Sequence, residues 1–222
     1  MPQQTRKFGF EILLVSLLVM MLVPGLIPSQ HGSFLLTVFS WGTILSSLYL
    51  AAKDKKTMAV GVVMALLILA TNWPSSLIPD LTRVVINSSL SSIFLAYICV
   101  HIFGFVLSAT SPSIQLIYAA LCMYLLMGLV WSFIYVLVVA LDPNAIKLAL
   151  VIDWDDNARD VFSEMYYFSF VTLTTLGYGD VLPISRIARS LATLEAVVGQ
   201  LYLAVVIASL VGIQISQRSK SN

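Results

Sequence analysis

The sequence predicts an all-α membrane protein, with six transmembrane helices and one shorter helix that enters the bilayer without crossing it. Of the 222 residues, 59% are hydrophobic and 10% charged, where a soluble domain carries charge on about a quarter, and mean hydropathy is +0.95. Apolar runs long enough to cross recur along the chain, and between the last two lies an aromatic run too short to do so. So little charge leaves a surface that must face lipid or protein, which excludes a secreted or cytosolic enzyme. Twelve basic against eleven acidic residues, net +1, point to no nucleic acid partner.

A hydrocarbon core of about 30 Å takes roughly 20 helical residues. The predicted spans are Phe10 to Ile27, Phe34 to Ala52, Thr57 to Trp73, Val84 to Leu107, Ile114 to Leu141 and Ile187 to Ile215. The third is short and stops at Trp73-Pro74-Ser75-Ser76; a re-entrant segment there would reverse the parity of the topology. Basic residues cluster at Arg6 and Lys7, at Lys53, Lys55 and Lys56, and at Arg218 and Lys220, while the stretch from Pro24 to Ser33 has none. An even number of spans puts all three clusters on one side, so both termini are expected in the cytoplasm of a multi-pass protein of the cell (plasma or inner) membrane. A cleavable leader is the competing interpretation of the first apolar run, without a clear small-x-small cleavage site. Cys99 and Cys122 sit inside apolar runs and are expected to be small buried hydrophobes. His101 is expected to be a satisfied interior histidine, and His31 lies in a polar outer loop.

Asp142-Pro143 closes the fifth span, and an acidic stretch runs to Asp160. Asp142, Asp153, Asp155, Asp156 and Asp160 against Lys147 and Arg159 leave a net −3 there, either a plain solvated loop or a field that concentrates cations. Val161 to Leu173 then forms a half-helix, with Asp156 or Asn157 as its cap, whose carbonyl end points inward. Thr174-Thr175-Leu176-Gly177-Tyr178-Gly179-Asp180 follows directly. Non-helical backbone at membrane depth survives only inside protein or along a cavity, since hydrocarbon offers its carbonyls no donor. Alternating glycines let successive carbonyls turn toward a common axis, where a cation stripped of water finds replacement oxygens. One strand cannot surround an ion and supplies one quarter of such a cage, so four copies around an axis are expected.

At these residues the sequence resembles the tetrameric pore-loop potassium channel family, in its bacterial six-span form, whose filter reads Thr-x-Gly-Tyr-Gly, here Thr175-Leu176-Gly177-Tyr178-Gly179. The resemblance runs from the fifth span to Gly212. It implies a homotetrameric pore with the half-helix as pore helix, in which Thr175, Leu176, Gly177 and Tyr178 coordinate K+. Thr174, Gly179, Asp180, Tyr167 and Phe168 would support that filter, with the Tyr178 ring packed against Tyr167 and Phe168. Gly199 would be a hinge of the inner helix, or else a tight helix crossing. Glu195 would form an acidic ring near the cavity, or pair with hydroxyls behind the filter and brace it. The implied function is potassium-selective conduction down the electrochemical gradient, the alternative being a weakly selective monovalent cation channel of the same fold. No enzymatic activity and no cofactor are expected. Lipid bilayer, K+ and identical copies are the expected partners.

The resemblance divides the chain into a four-helix membrane domain over 1–109, a pore domain over 110–217 and a short cytoplasmic tail over 218–222, too short for a tethered ligand-binding domain. In such channels the first four helices can form a voltage sensor, which needs about three or four arginines on its fourth helix. That helix has Arg83 at its outer end and then no arginine or lysine to Leu107. A scaffold or a lipid-sensing domain fits these helices equally well. Replacing Arg83 with glutamine is therefore expected to leave the conductance–voltage relation in planar bilayers nearly unchanged, and a large shift would contradict this assignment.

Overall fold

The computed structural model describes residues 3–26, 41–46, 55–72, 79–109, 111, 113–148, 150–155 and 158–221. Its elements in chain order are α1 (Gln3–Leu26), α2 (Lys55–Asn72), α3 (Asp80–Leu107), α4 (Ile114–Leu141), β1 (Ile146–Lys147), α5 (Ala158–Leu173), β2 (Leu182–Pro183) and α6 (Arg186–Ser221). Residues 41–46 are also helical. Among the described residues, three helices are long and apolar enough to cross a membrane: Asp80–Leu107, Ile114–Leu141 and Arg186–Ile213. Gly9–Leu22 and Thr57–Thr71 are shorter apolar helices. The second expected span lies outside the described residues except for 41–46, as do the proposed caps Asp156 and Asn157.

Local chemistry explains the helix boundaries. The Ser113 hydroxyl accepts from the Leu116 N–H at 3.2 Å, and Ser185 accepts from Ala188 at 3.1 Å, capping α4 and α6. Asp80 in the first turn of α3 suits the positive end of the helix dipole and pairs with Arg83 at 2.7 Å. After α4, Asp142-Pro143-Asn144-Ala145 makes a turn in which the Ala145 N–H donates to the Asp142 carbonyl at 2.9 Å and Asn144 N–H to the Asp142 side chain at 3.1 Å.

The chain forms two compact units. One comprises Met1–Ala65, Tyr97–Leu126 and Val206–Asn222. There Phe10 stacks on Phe105 with centroids 5.5 Å apart, and Leu13, Leu116, Ala119 and Leu126 are buried. The Ser16 and Thr43 hydroxyls meet at 2.9 Å, and the Cys122 thiol donates to the Phe10 carbonyl at 3.5 Å. His101 packs edge-on against Tyr97 at 4.5 Å, and both cysteines are buried and free.

The other unit comprises Leu66–Ala96 and Met127–Val205, and it holds every candidate site residue. Its core joins Tyr135, Val136 and Val139 of α4 to Val161, Met165 and Phe168 of α5, with Ala145, Ile146, Val181 and Ala188 closing it. β1 and β2 pair antiparallel, Ile146 opposite Pro183 and Lys147 opposite Leu182. The Ala145 carbonyl accepts from the N–H groups of Ile184 and Ser185 at 2.8 and 3.0 Å. The chain leaving the Thr174–Asp180 segment is thereby fastened to the end of α4. In the same unit Asn87 of α3 donates to Thr71 of α2 at 2.9 Å, and Ser88 and Ser91 are buried, as small polar residues are where helices pack closely.

Candidate functional site

The site is built on α5, whose 16 residues rise about 24 Å, short of a crossing. A helix leaves its last carbonyls without internal donors. Here the next residues supply them: Thr174 N–H donates to Phe170 at 3.0 Å and Thr175 N–H to Thr172 at 2.9 Å. The Leu176 and Gly177 N–H groups both donate to the Val171 carbonyl, at 2.9 and 3.3 Å. Donors of the segment are thus turned back onto the helix that precedes it.

Its backbone then alternates in hand. Thr175, Gly177 and Gly179 have φ of 58°, 59° and 82°, while Leu176 and Tyr178 between them do not take positive values. Alternation of hand turns successive peptide groups the same way, so N–H groups line one side and carbonyls the other. Among the described residues, no donor reaches the carbonyls of Thr175, Leu176, Gly177 or Tyr178. A Cβ built on Gly177 or Gly179 meets nothing within 4 Å, so glycine is needed there for φ and not for room. Thr175 takes the same left-handed φ with a β-branched side chain, a strained conformation of the kind that collects at functional sites. The whole segment is exposed, Leu176 at 55% and Tyr178 at 68%; this chain alone does not enclose it.

Asp180 closes the segment. Its Oδ2 accepts from the Tyr167 hydroxyl at 2.7 Å and its Oδ1 from the Val181 N–H at 3.0 Å. The Tyr167 hydrogen bond, which favours the ionised form, holds the Asp180 carboxyl below its ordinary value of 3.8. Tyr167 therefore supports the segment through Asp180, whereas Phe168 is buried edge-on against Tyr135 at 4.8 Å. Successive helical residues point about 100° apart, and here Tyr167 faces Asp180 while Phe168 faces Tyr135.

Behind α5 lies a buried polar cluster. Glu195 of α6 is fully buried; the Tyr135 hydroxyl donates to its Oε2 at 2.6 Å, and Ser169 Oγ lies 2.6 Å from its Oε1. Ser169 Oγ also lies 2.8 Å from the Gly128 carbonyl. The sequence pointed to Glu195 but not to Tyr135 or Ser169, although a buried carboxyl must find donors and hydroxyls on the facing helices are the natural supply. Gly199, one turn further on, sits against the end of α5, where a Cβ would lie 2.8 Å from both the Leu173 carbonyl oxygen and its Cδ1. In the acidic loop, Asp142 and Asp153 accept local N–H groups, Asp153 from Asp155 at 3.0 Å. Asp156 lies outside the described residues.

Residues 116–214, a little under half of the chain, fit the model of a family described as ion channel. The matched stretch contains α5, the Thr174–Asp180 segment and most of α4 and α6. Among individual proteins, the inward rectifier potassium channel Kirbac3.1 of Paramagnetospirillum magnetotacticum is 47% identical over 51 residues, which cover 22% of this chain and 17% of that protein. No solved structure matches the chain at a significant level.

The Leu173 contact makes Gly199→Ala destabilising by about 1–3 kcal/mol, whereas Gly212→Ala, with open space around it, changes thermal stability in detergent little. For Asp180 the folded-state value is depressed. The Tyr167 bond thus contributes fully above the ordinary aspartate value and is lost as pH falls through the folded one. In an NMR titration the wild-type midpoint lies below 3.8 and Tyr167→Phe raises it; an unmoved midpoint would contradict the assigned bond.

Proposed function

We propose that this chain is a potassium-selective channel that passes K+ down its electrochemical gradient through a fourfold pore. One observation carries the proposal: from Thr175 to Tyr178 the carbonyls are without donors while the backbone alternates in hand. Carbonyls so arranged exchange for the hydration shell of a monovalent cation once other copies complete the cage. The ion channel family match and the potassium channel named among the relatives support the same conclusion.

In this proposal Thr175, Leu176, Gly177 and Tyr178 coordinate K+. Thr174 and Gly179 shape the ends of the segment, and Asp180, tied to Tyr167, holds negative charge at its outer mouth, where it concentrates cations. The carbonyl end of α5 directs its partial negative charge toward a central cavity. Six spans, both termini in the cytoplasm of a cell-membrane protein, and assembly as a homotetramer complete the architecture. Conduction needs no bond chemistry, so the protein acts as a channel and not as an enzyme. Gly199 serves in this scheme as a close crossing between α6 and the end of α5, which fastens the inner helix to the filter.

Purified protein in liposomes is expected to pass K+ far faster than Na+, with the mass of a tetramer. Gly177→Ala forces a side chain into left-handed backbone at a cost of about 1–2 kcal/mol and should abolish the preference for K+. Equal K+ and Na+ fluxes in the wild type would instead indicate the weakly selective channel, and an unchanged preference in Gly177→Ala would remove the filter assignment.

A further inference from the structure

We infer that Glu195 is a neutral carboxylic acid that donates a hydrogen bond to Ser169, and that in this form it positions α5 and the segment following it. The inference comes from counting hydrogens. Three oxygen–oxygen contacts form one chain: Tyr135 Oη to Glu195 Oε2 at 2.6 Å, Glu195 Oε1 to Ser169 Oγ at 2.6 Å, and Ser169 Oγ to the Gly128 carbonyl at 2.8 Å. Each contact needs one hydrogen between its oxygens. Tyr135 and Ser169 bring one apiece, a carbonyl brings none, and a carboxylate only accepts. With Glu195 ionised, one contact would press two lone-pair-bearing oxygens together without a proton. With Glu195 protonated, the count closes: Tyr135 donates to Oε2, Oε1–H donates to Ser169, and Ser169 donates to Gly128.

The surroundings agree. α4 presents Tyr135 and also Ser132, whose hydroxyl donates to the Gly128 carbonyl at 2.7 Å; α5 presents Ser169. Among the described residues no Lys, Arg or His reaches Glu195, and the ion pair formed is Arg83–Asp80. A buried carboxylate is retained when a cation pairs with it, and a protonated acid is the form that apolar surroundings select. The relay spans α4, α5 and α6 and grips α5 at Ser169, one turn before Leu173, where Gly199 makes the next contact. Glu195 therefore acts on the segment through Ser169, as a positioning residue.

The protonation state stands by itself, while its consequence for conduction rests on the channel proposal. Wild-type protein and Glu195→Gln, purified whole and reconstituted in phosphatidylcholine vesicles at neutral pH, are compared by infrared absorption. A carbonyl band of a protonated carboxylic acid, present in the wild type and removed in Glu195→Gln, is expected. Its absence from the wild type, or its undiminished presence in the variant, overturns the assignment. In the same vesicles Glu195→Leu is expected to lower the K+ over Na+ flux ratio about tenfold, as befits lost buried hydrogen bonds. Glu195→Gln should rescue it, since an amide nitrogen donates to Ser169 and its carbonyl accepts from Tyr135. A Gln variant as unselective as the Leu variant, or a Leu variant as selective as wild type, overturns the positioning role. Tyr135→Phe removes one hydroxyl, and with it the bond to Glu195 Oε2, and should reproduce the fall if Glu195→Leu fails to assemble. Wild-type vesicles without K+ flux would dispose of the channel proposal and leave the infrared band to decide the acid.

Discussion

A peptide carbonyl withdrawn from water must find a donor or a cation, and the residues around α5 are arranged by that requirement. Within the helices the requirement is met internally. At the end of α5 it is met by the next four N–H groups, which fold back onto Phe170, Val171 and Thr172. Residues 174–177 spend their donors in this way, and the carbonyls of 175–178 are left open. Left-handed backbone at alternate positions keeps those carbonyls on a common side. Glycine supplies two of the positions without strain, and Thr175 holds the third against its preference. In the proposed channel the strain is sustained by the ions and by neighbouring copies.

Such a segment needs a rigid frame, and the unit that carries it has one at each end. Upstream, α5 is gripped by the apolar core of Val161, Met165 and Phe168 and by the hydroxyl cluster around Glu195. Downstream, Asp180 is bonded by Tyr167, and Ile184 and Ser185 are bonded to Ala145 at the end of α4. Buried polar contacts specify register more sharply than apolar ones, because an unmade hydrogen bond costs more than an imperfect packing contact. The placement of Ser169 and Tyr135 opposite Glu195 therefore fixes how α5 is turned relative to α4 and α6 more narrowly than the leucines and valines around them could.

Helix α6 makes two different kinds of contact with this frame. Glu195 reaches across to hydroxyls, while Gly199 gives up its side chain so that α6 can approach the Leu173 backbone. Both hold α6 to the base of the segment. In the proposed channel, movement of α6 would consequently be felt where the ions are coordinated, through a hydrogen bond and a backbone contact one turn apart.

Much of this was legible in the sequence. Composition and run length determined that the chain belongs in a bilayer, since hydrocarbon selects apolar surface whatever the topology. The end of α5 at Leu173 and the irregular Thr174–Asp180 stretch followed from glycine spacing, a property of neighbouring residues alone. What the tertiary structure decided is which distant groups meet. Glu195 finds its hydroxyl partners 26 and 60 positions away, and Phe168 turns toward Tyr135 while Tyr167 turns toward Asp180. Those pairings depend on the rotation of each helix about its axis, which hydrophobic patterning leaves loose when nearly every position is apolar, and which is set only when the helices pack and the few polar groups must be satisfied together.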